Sequence, residues 1–177
     1  MRHARLYLLP LAPLALASPA YATTYLSVEQ AQALMFPQTL LTADFQTLTD
    51  AQVSAVEKFA GSRVINREVR AWRAASGGWF IIDGVFGKHE LIGYAIALDA
   101  KGAIRQVEIL DYRESYGGEV RMPAWRRQFV GKDDTASLTL DDDIKNISGA
   151  TLSCNHITEG IKRLMAIYAL VLAPHHS

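Results

Sequence analysis

Leu91-Ile92-Gly93-Tyr94-Ala95-Ile96-Ala97-Leu98-Asp99-Ala100-Lys101-Gly102-Ala103-Ile104-Arg105-Gln106-Val107-Glu108-Ile109-Leu110 places two apolar runs on either side of one turn. Asp99 to Gly102 supplies the turn chemistry. Ile104, Val107, Ile109 and Leu110 resume a strand after it, so the stretch predicts an antiparallel hairpin. Upstream, Trp79-Phe80-Ile81-Ile82 follows a Ser76-Gly77-Gly78 turn, and Val64-Ile65, Val69 and Trp72 precede that turn. The chain from Arg63 to Tyr112 therefore reads as strands. Downstream, residues 131–147 read as a polar loop with one short strand from Ser137 to Leu140.

Helices flank this strand block. Ser27 with Gln30 is a capping box ahead of Val28, Ala31, Leu34 and Met35, and Pro37 stops that helix. Thr49 with Gln52 repeats the signal ahead of Val53, Val56 and Phe59, and Gly61 is placed to end it. At the C-terminus Ile157, Ile161, Leu164, Tyr168 and Val171 make one apolar stripe. Glu159, Lys162 and Arg163 on its other faces exclude a membrane span. The pattern indicates an α+β fold, an antiparallel sheet with N-terminal helices and a C-terminal amphipathic helix packed on it.

The first residues read differently. Arg2, His3 and Arg5 precede an apolar stretch of 12 residues, Leu6 to Ala17, and Ala20-Tyr21-Ala22 has the small-x-small form of a cleavage site. The apolar stretch is too short to span a bilayer. Residues 1–22 are read as a secretory signal, leaving 23–177 as one domain exported to the periplasm. Removing the leader lowers the basic residues from 18 to 16 against 18 acidic ones, a net charge near −2 that argues against a nucleic-acid partner. The only cysteine, Cys154, rules out an internal disulfide in the exported chain. It lies in the first turn of the last helix, where it is either a stabilised thiolate or a small buried side chain. No Cys-x-x-Cys-His and no zinc spacing occurs, so neither an attached c-type haem nor a metal site is expected.

Two segments carry chemistry. Ser148-Gly149-Ala150-Thr151-Leu152-Ser153 opens the last helix with hydroxyls and little side-chain bulk. Either Ser148 or Thr151 serves as a simple N-cap, or the backbone N–H groups and the helix dipole hold a phosphate there. Asp111 to Arg121 leaves the end of the hairpin as a loop, with Glu114, Tyr116, Gly117 and Gly118 as candidate ligand contacts. His89, in the Gly87-Lys88-His89-Glu90 turn, is either solvated or touches a ligand edge. Trp125 and Phe129, four apart, read as core anchors.

Ser148-Gly149-Ala150-Thr151, the helix Thr158-Glu159-Gly160-Ile161-Lys162-Arg163, the Glu114-to-Gly118 loop and Trp125…Phe129-Val130-Gly131-Lys132 together resemble the FMN-binding domain family. That family includes covalently flavinylated subunits of ion-pumping respiratory oxidoreductases. The resemblance runs from about Gly87 to Leu172. It implies that Thr151 accepts an FMN phosphate as a phosphoester, that Ser148, Gly149, Ala150, Leu152 and Ser153 surround it, and that Glu114, Tyr116, Gly117 and Gly118 approach the flavin. It further implies a separate flavin transferase using FAD and magnesium, and a membrane-bound electron donor or redox complex. One position differs. The acidic residue that the family carries six before the acceptor is Lys145 here, with Asp143 two residues further back. An electron-transfer module is the leading expectation, ahead of a small flavin-dependent reductase with its own substrate and of a non-redox FMN-binding module.

Overall fold

The computed structural model describes residues 23–173, so the expected leader and the tail residues His175 and His176 lie outside them. Helix α1 (Val28–Met35) starts at Ser27, whose Oγ accepts the Gln30 amide at 3.2 Å while Gln30 Oε1 accepts the Ser27 amide at 2.8 Å. Helix α2 (Asp50–Ala60) repeats the arrangement with Thr49 and Gln52 and ends at Gly61 in the left-handed region. Both expected capping boxes are present. Each satisfies two of the amides that a helix start leaves without partners.

Four antiparallel strands form a meander, β4 (Glu68–Ala74), β5 (Trp79–Phe86), β6 (Leu91–Leu98) and β7 (Ile104–Tyr112). Three short strands absent from the sequence reading complete the sheet. These are β1 (Thr23–Thr24) on β7, and β2 (Leu41–Ala43) and β3 (Gln46–Thr47), which both pair with β4. The order is β1-β7-β6-β5-β4-β2, with β3 against the start of β4. Two expected strands differ. Val64-Ile65 lies before β4, with the Val64 amide donated to Glu57 Oε1 at 2.9 Å instead of to a ladder. Ser137 to Leu140 forms no strand because the Asp143 carboxylate takes the Leu138 and Thr139 amides, at 3.1 and 2.7 Å.

The sheet is covered on both faces. Ile92, Tyr94, Ile96 and Leu98 of β6 face helix α4 (Thr151–Ile167), which continues as a π turn over Tyr168–Leu172. Ala95 and Ala97 face α1, where Met35, Phe36 and Phe80 fill the second layer. Burial on both faces explains why β6 reads as a continuous apolar run and not as an alternation. A 3₁₀ turn at Gly118–Arg121, helix α3 (Pro123–Arg126) and a second 3₁₀ turn carry Trp125 and Phe129 into the core, their rings 5.2 Å apart and edge on.

Helix α4 packs closely against the sheet at Gly160. A Cβ there would lie 2.5 Å from the Tyr94 hydroxyl and 2.7 Å from Val85 Cγ1. Tyr94 is fully buried and donates to Asp83 Oδ2 at 3.0 Å, and Arg163 Nη2 donates to the same oxygen at 3.1 Å. Burial, reinforced by the Asp83 charge, drives the Tyr94 phenol well above its usual pKa, so it stays a neutral donor. Gly160→Val should therefore destabilise the protein by about 1–3 kcal/mol, the usual cost of forcing extra carbons into a filled core. A lower urea midpoint with an unchanged slope checks this, and an unchanged midpoint would contradict the close packing.

Candidate functional site

Helix α4 begins unlike the other two long helices. Its N-cap position is Ala150, with no side-chain hydrogen bond, and neither Ser148 nor Thr151 caps it. Among the described residues the amides of Thr151, Leu152 and Ser153 donate to no protein acceptor. Substituting Ala for a capping residue typically costs about 1 kcal/mol. Here that loss leaves a row of amides, at the positive end of a 17-residue helix, free for an anion. Gly149, at φ +86° with open space where a Cβ would stand, provides the left-handed turn that leads the chain into this start.

A cavity of about 330 Å³ opens over these amides. Gly149, Ala150, Thr151, Leu152 and Ser153 form one side; His89, Glu114 and Tyr116 stand on the other, with Lys88 and Ser115. Eight of the residues anticipated from sequence are thus brought together. Ser148, Gly117 and Gly118 do not line the cavity. Lys88 and Ser115 carried no sequence signal beyond their neighbours. Asn146, also unanticipated, donates from Nδ2 to Thr151 Oγ1 at 3.1 Å, leaving that exposed hydroxyl oriented and accessible.

Gly117 shapes the loop. At φ +85° it turns the loop inward, and a Cβ would lie 2.7 Å from the Tyr112 hydroxyl and 2.9 Å from Ser153 Oγ. Tyr112 donates its one proton to the Tyr116 carbonyl at 2.5 Å, so the 2.9 Å contact with Ser153 is donated by the serine. Ser153, 5% exposed, is thereby committed to this clamp, which ties the end of β7 and the 112–118 loop to the helix start. Gly118 merely opens the 3₁₀ turn, with room for a side chain.

Glu114 is likewise a positioning residue. Its Oε1 accepts the amides of His89 at 2.5 Å and Glu90 at 2.9 Å, where Gly87 leaves room for it. Partial burial raises its pKa, but the backbone N–H groups of the 88–90 turn outweigh that and hold it below the ordinary 4.5. Asp143 does not stand free as a substitute for the acidic residue that Lys145 replaces. It is bonded to Lys132 Nζ at 3.0 Å and to the Leu138 and Thr139 amides. Lys145 anchors the same region through its backbone, its carbonyl accepting from Trp125 Nε1 at 2.9 Å. Cys154 is fully buried, and desolvation pushes its thiol upward, which makes it a packing residue.

A larger cleft, about 590 Å³, lies between β7 and α3 beside Arg105, Glu108 and Arg127. Its Arg126 is already paired with Glu108 and the Val107 carbonyl, and none of the anticipated residues lines it.

An uncapped helix start with free amides, an oriented hydroxyl, flanking Lys88 and His89 and an exposed Tyr116 ring fits a phosphorylated aromatic cofactor. Residues 87–166 match the model of the FMN-binding domain family, so the chain carries a domain of that family and is a flavin-binding protein with FMN as its cofactor. Comparison with curated proteins returns no match.

The Glu114 clamp carries a pH dependence. A carboxyl whose pKa is lowered by folding contributes order that is present above its ordinary value of 4.5 and is lost as pH falls through the depressed value. The amide resonances of His89 and Glu90 should therefore titrate together with a midpoint below 4.5. Glu114→Gln should abolish that titration. A midpoint above 4.5 in the parent protein would contradict the assignment.

Proposed function

We propose that the protein is an exported electron-transfer module carrying FMN covalently on Thr151. The observation that carries this reading is the Ala150 start of α4. Where α1 and α2 each begin with a capping box, the 17-residue α4 has no side-chain cap and leaves three amides free beside an exposed threonine hydroxyl. A local rule broken at one place, against agreement elsewhere, marks a functional position.

Attachment requires that Thr151 Oγ1 displace AMP from FAD. The new bond joins Oγ1 to the FMN phosphorus, the pyrophosphate bond breaks, and the hydroxyl proton leaves. A separate flavin transferase with magnesium performs this step, and the free amides of Thr151, Leu152 and Ser153 neutralise the phosphoester oxygens that remain. Asn146 Nδ2 holds the hydroxyl at the helix start. When bound, FMN supplies one- and two-electron transfer, and the protein's part is to hold and tune it. A covalent tether suits a chain working where cytoplasmic FMN is out of reach.

The site is open at the surface, with Tyr116 85% and Leu152 49% exposed. That openness favours exchange with a membrane-bound donor and an exported acceptor over a reductase enclosing its own substrate. The reductase reading is separated by turnover with a small acceptor, and a non-redox module by failure of the loaded protein to reduce and reoxidise.

Co-expression with a flavin transferase should yield a chain that fluoresces as flavin on a denaturing gel. Thr151→Ala should lose that fluorescence completely while keeping the far-ultraviolet dichroism of the parent, because Thr151 is exposed and caps nothing. Persistent fluorescence would move the acceptor to another hydroxyl, Ser148 first. Export has its own check. N-terminal sequencing of the mature protein should begin at Thr23, and a retained Met1 would overturn the leader.

A further inference from the structure

The cleft of about 590 Å³ between β7 and α3 shares no lining residue with the Thr151 cavity, and three separate features meet in it. The first is a strand edge. β1 covers β7 only at Asp111 and Tyr112, and the Tyr25 and Leu26 amides end that cover on the Leu110 carbonyl. At the other end Ile104 exchanges bonds with Gly131 and Lys132. Between these ties, residues 106–109 pair with β6 and, among the described residues, with no backbone group on the side away from it. Such an edge is a template for an added strand.

The second feature is charge. Arg105, Arg126 and Arg127 line the cleft, with Glu108 as the only acidic residue among them. Glu108 is answered by Arg126 and by Gln106 Nε2 at 2.8 Å, and Arg126 also donates to the Val107 carbonyl at 2.6 Å. Arg105 and Arg127 are exposed, and among the described residues neither is paired with a carboxylate. Arg105 lies over the Phe36 ring at 5.2 Å, which steadies it on the β7 wall, and Arg127 stands on the opposite wall. The third feature is apolar surface. Val130 lines the cleft and is 48% exposed, and Met122, next to Pro123 in the chain, is 57% exposed. Arginine and methionine beside apolar groups is a composition that protein interfaces favour.

Together these features select the occupant. A small dicarboxylate would bridge Arg105 and Arg127 and leave the strand edge and the apolar rim unmet. An extended peptide with carboxylates on alternate residues meets all three, because alternate side chains of a strand share one face. We propose that this cleft docks an extended acidic segment of a partner protein, which adds to β7 beside residues 106–109 and sets its carboxylates on Arg105 and Arg127. The docked segment lies one short helix away from the flavin site. Trp125 and Gln128, neighbours of Arg126 and Arg127, hold the Lys145 carbonyl, and Lys145 leads into the 148–153 segment. The docking does not depend on attachment at Thr151.

The test uses the full chain without loaded flavin and a fluorescent peptide of alternating glutamate and valine. The parent should bind it saturably, and raised salt should weaken the binding. Arg105→Glu and Arg127→Glu should each weaken it tenfold or more while keeping parental far-ultraviolet dichroism and FMN affinity, since both side chains are exposed and neither lines the Thr151 cavity. Methylating alternate backbone amides of the peptide should also cost tenfold or more, a loss that charge attraction alone does not produce. Amide resonances of residues 105–109 and 123–130 should shift on binding. A parent that does not bind the peptide, parental affinity in both arginine variants, or shifts confined to another face would overturn the docking site. Equal binding of the methylated peptide would overturn the strand addition. Succinate bound as tightly as the peptide would replace the partner with a small anion, and binding to phosphatidylglycerol vesicles but not to the peptide would replace it with a membrane surface; either result overturns the proposal.

Discussion

The contact of Gly160 with Tyr94 fixes where α4 lies, and the site follows from it. The helix backbone reaches the sheet at the one position where no side chain intervenes, and the Tyr94 hydroxyl occupies that space. Asp83 then gathers Tyr94 and Arg163 on a single carboxylate oxygen, linking β5, β6 and α4. A buried pair of this kind adds little net stability, because desolvation offsets the attraction, yet removing one partner is costly. Its effect is to make one register of the helix far better than its neighbours. Thr151 lies nine residues before Gly160, about 13.5 Å along the axis, so a helix shifted by one residue would carry the free amides away from the loop. Tyr112 and Ser153 add a second tie at the helix start.

Much of this was legible in the sequence because it rests on local chemistry. The two capping boxes, the Asp99-to-Gly102 hairpin and the Ile157, Ile161, Leu164 stripe each combine a periodicity with a stop signal, and each occurs as read. The short strands β1, β2 and β3 carry no such signal. They span two or three residues, and their membership of the sheet comes from pairing with β7 or β4. Ser137 to Leu140 had strand composition, but Asp143 lies close in sequence and captures the amides a ladder would need. Local side-chain competition decided that segment.

The site was legible as a set of positions and much less as a set of roles. Thr151, Gly149 and Tyr116 stand where spacing placed them. Glu114 and Gly117 are near the cavity for structural reasons that depend on partners distant in sequence, the His89 and Glu90 amides for one and Tyr112 with Ser153 for the other. No pattern within the 111–121 loop encodes those partners.

The electrostatics of the first cavity show why these structural roles matter for function. A phosphate carries negative charge, and a free carboxylate at Glu114 would repel it across so small a space. The backbone N–H groups of His89 and Glu90 donate to that carboxylate, and the same bonds order the turn that presents His89 to the cavity. Glu114 stays ionised with its charge turned toward those N–H groups, while the amides of Thr151, Leu152 and Ser153 at the positive end of α4 stand on the other side of the cavity. The acidic side chain acts on the loop through its hydrogen bonds. It organises the 88–90 turn that faces the helix start while its own charge is directed into that turn, so a carboxylate at the rim is compatible with the anion site proposed at the start of α4.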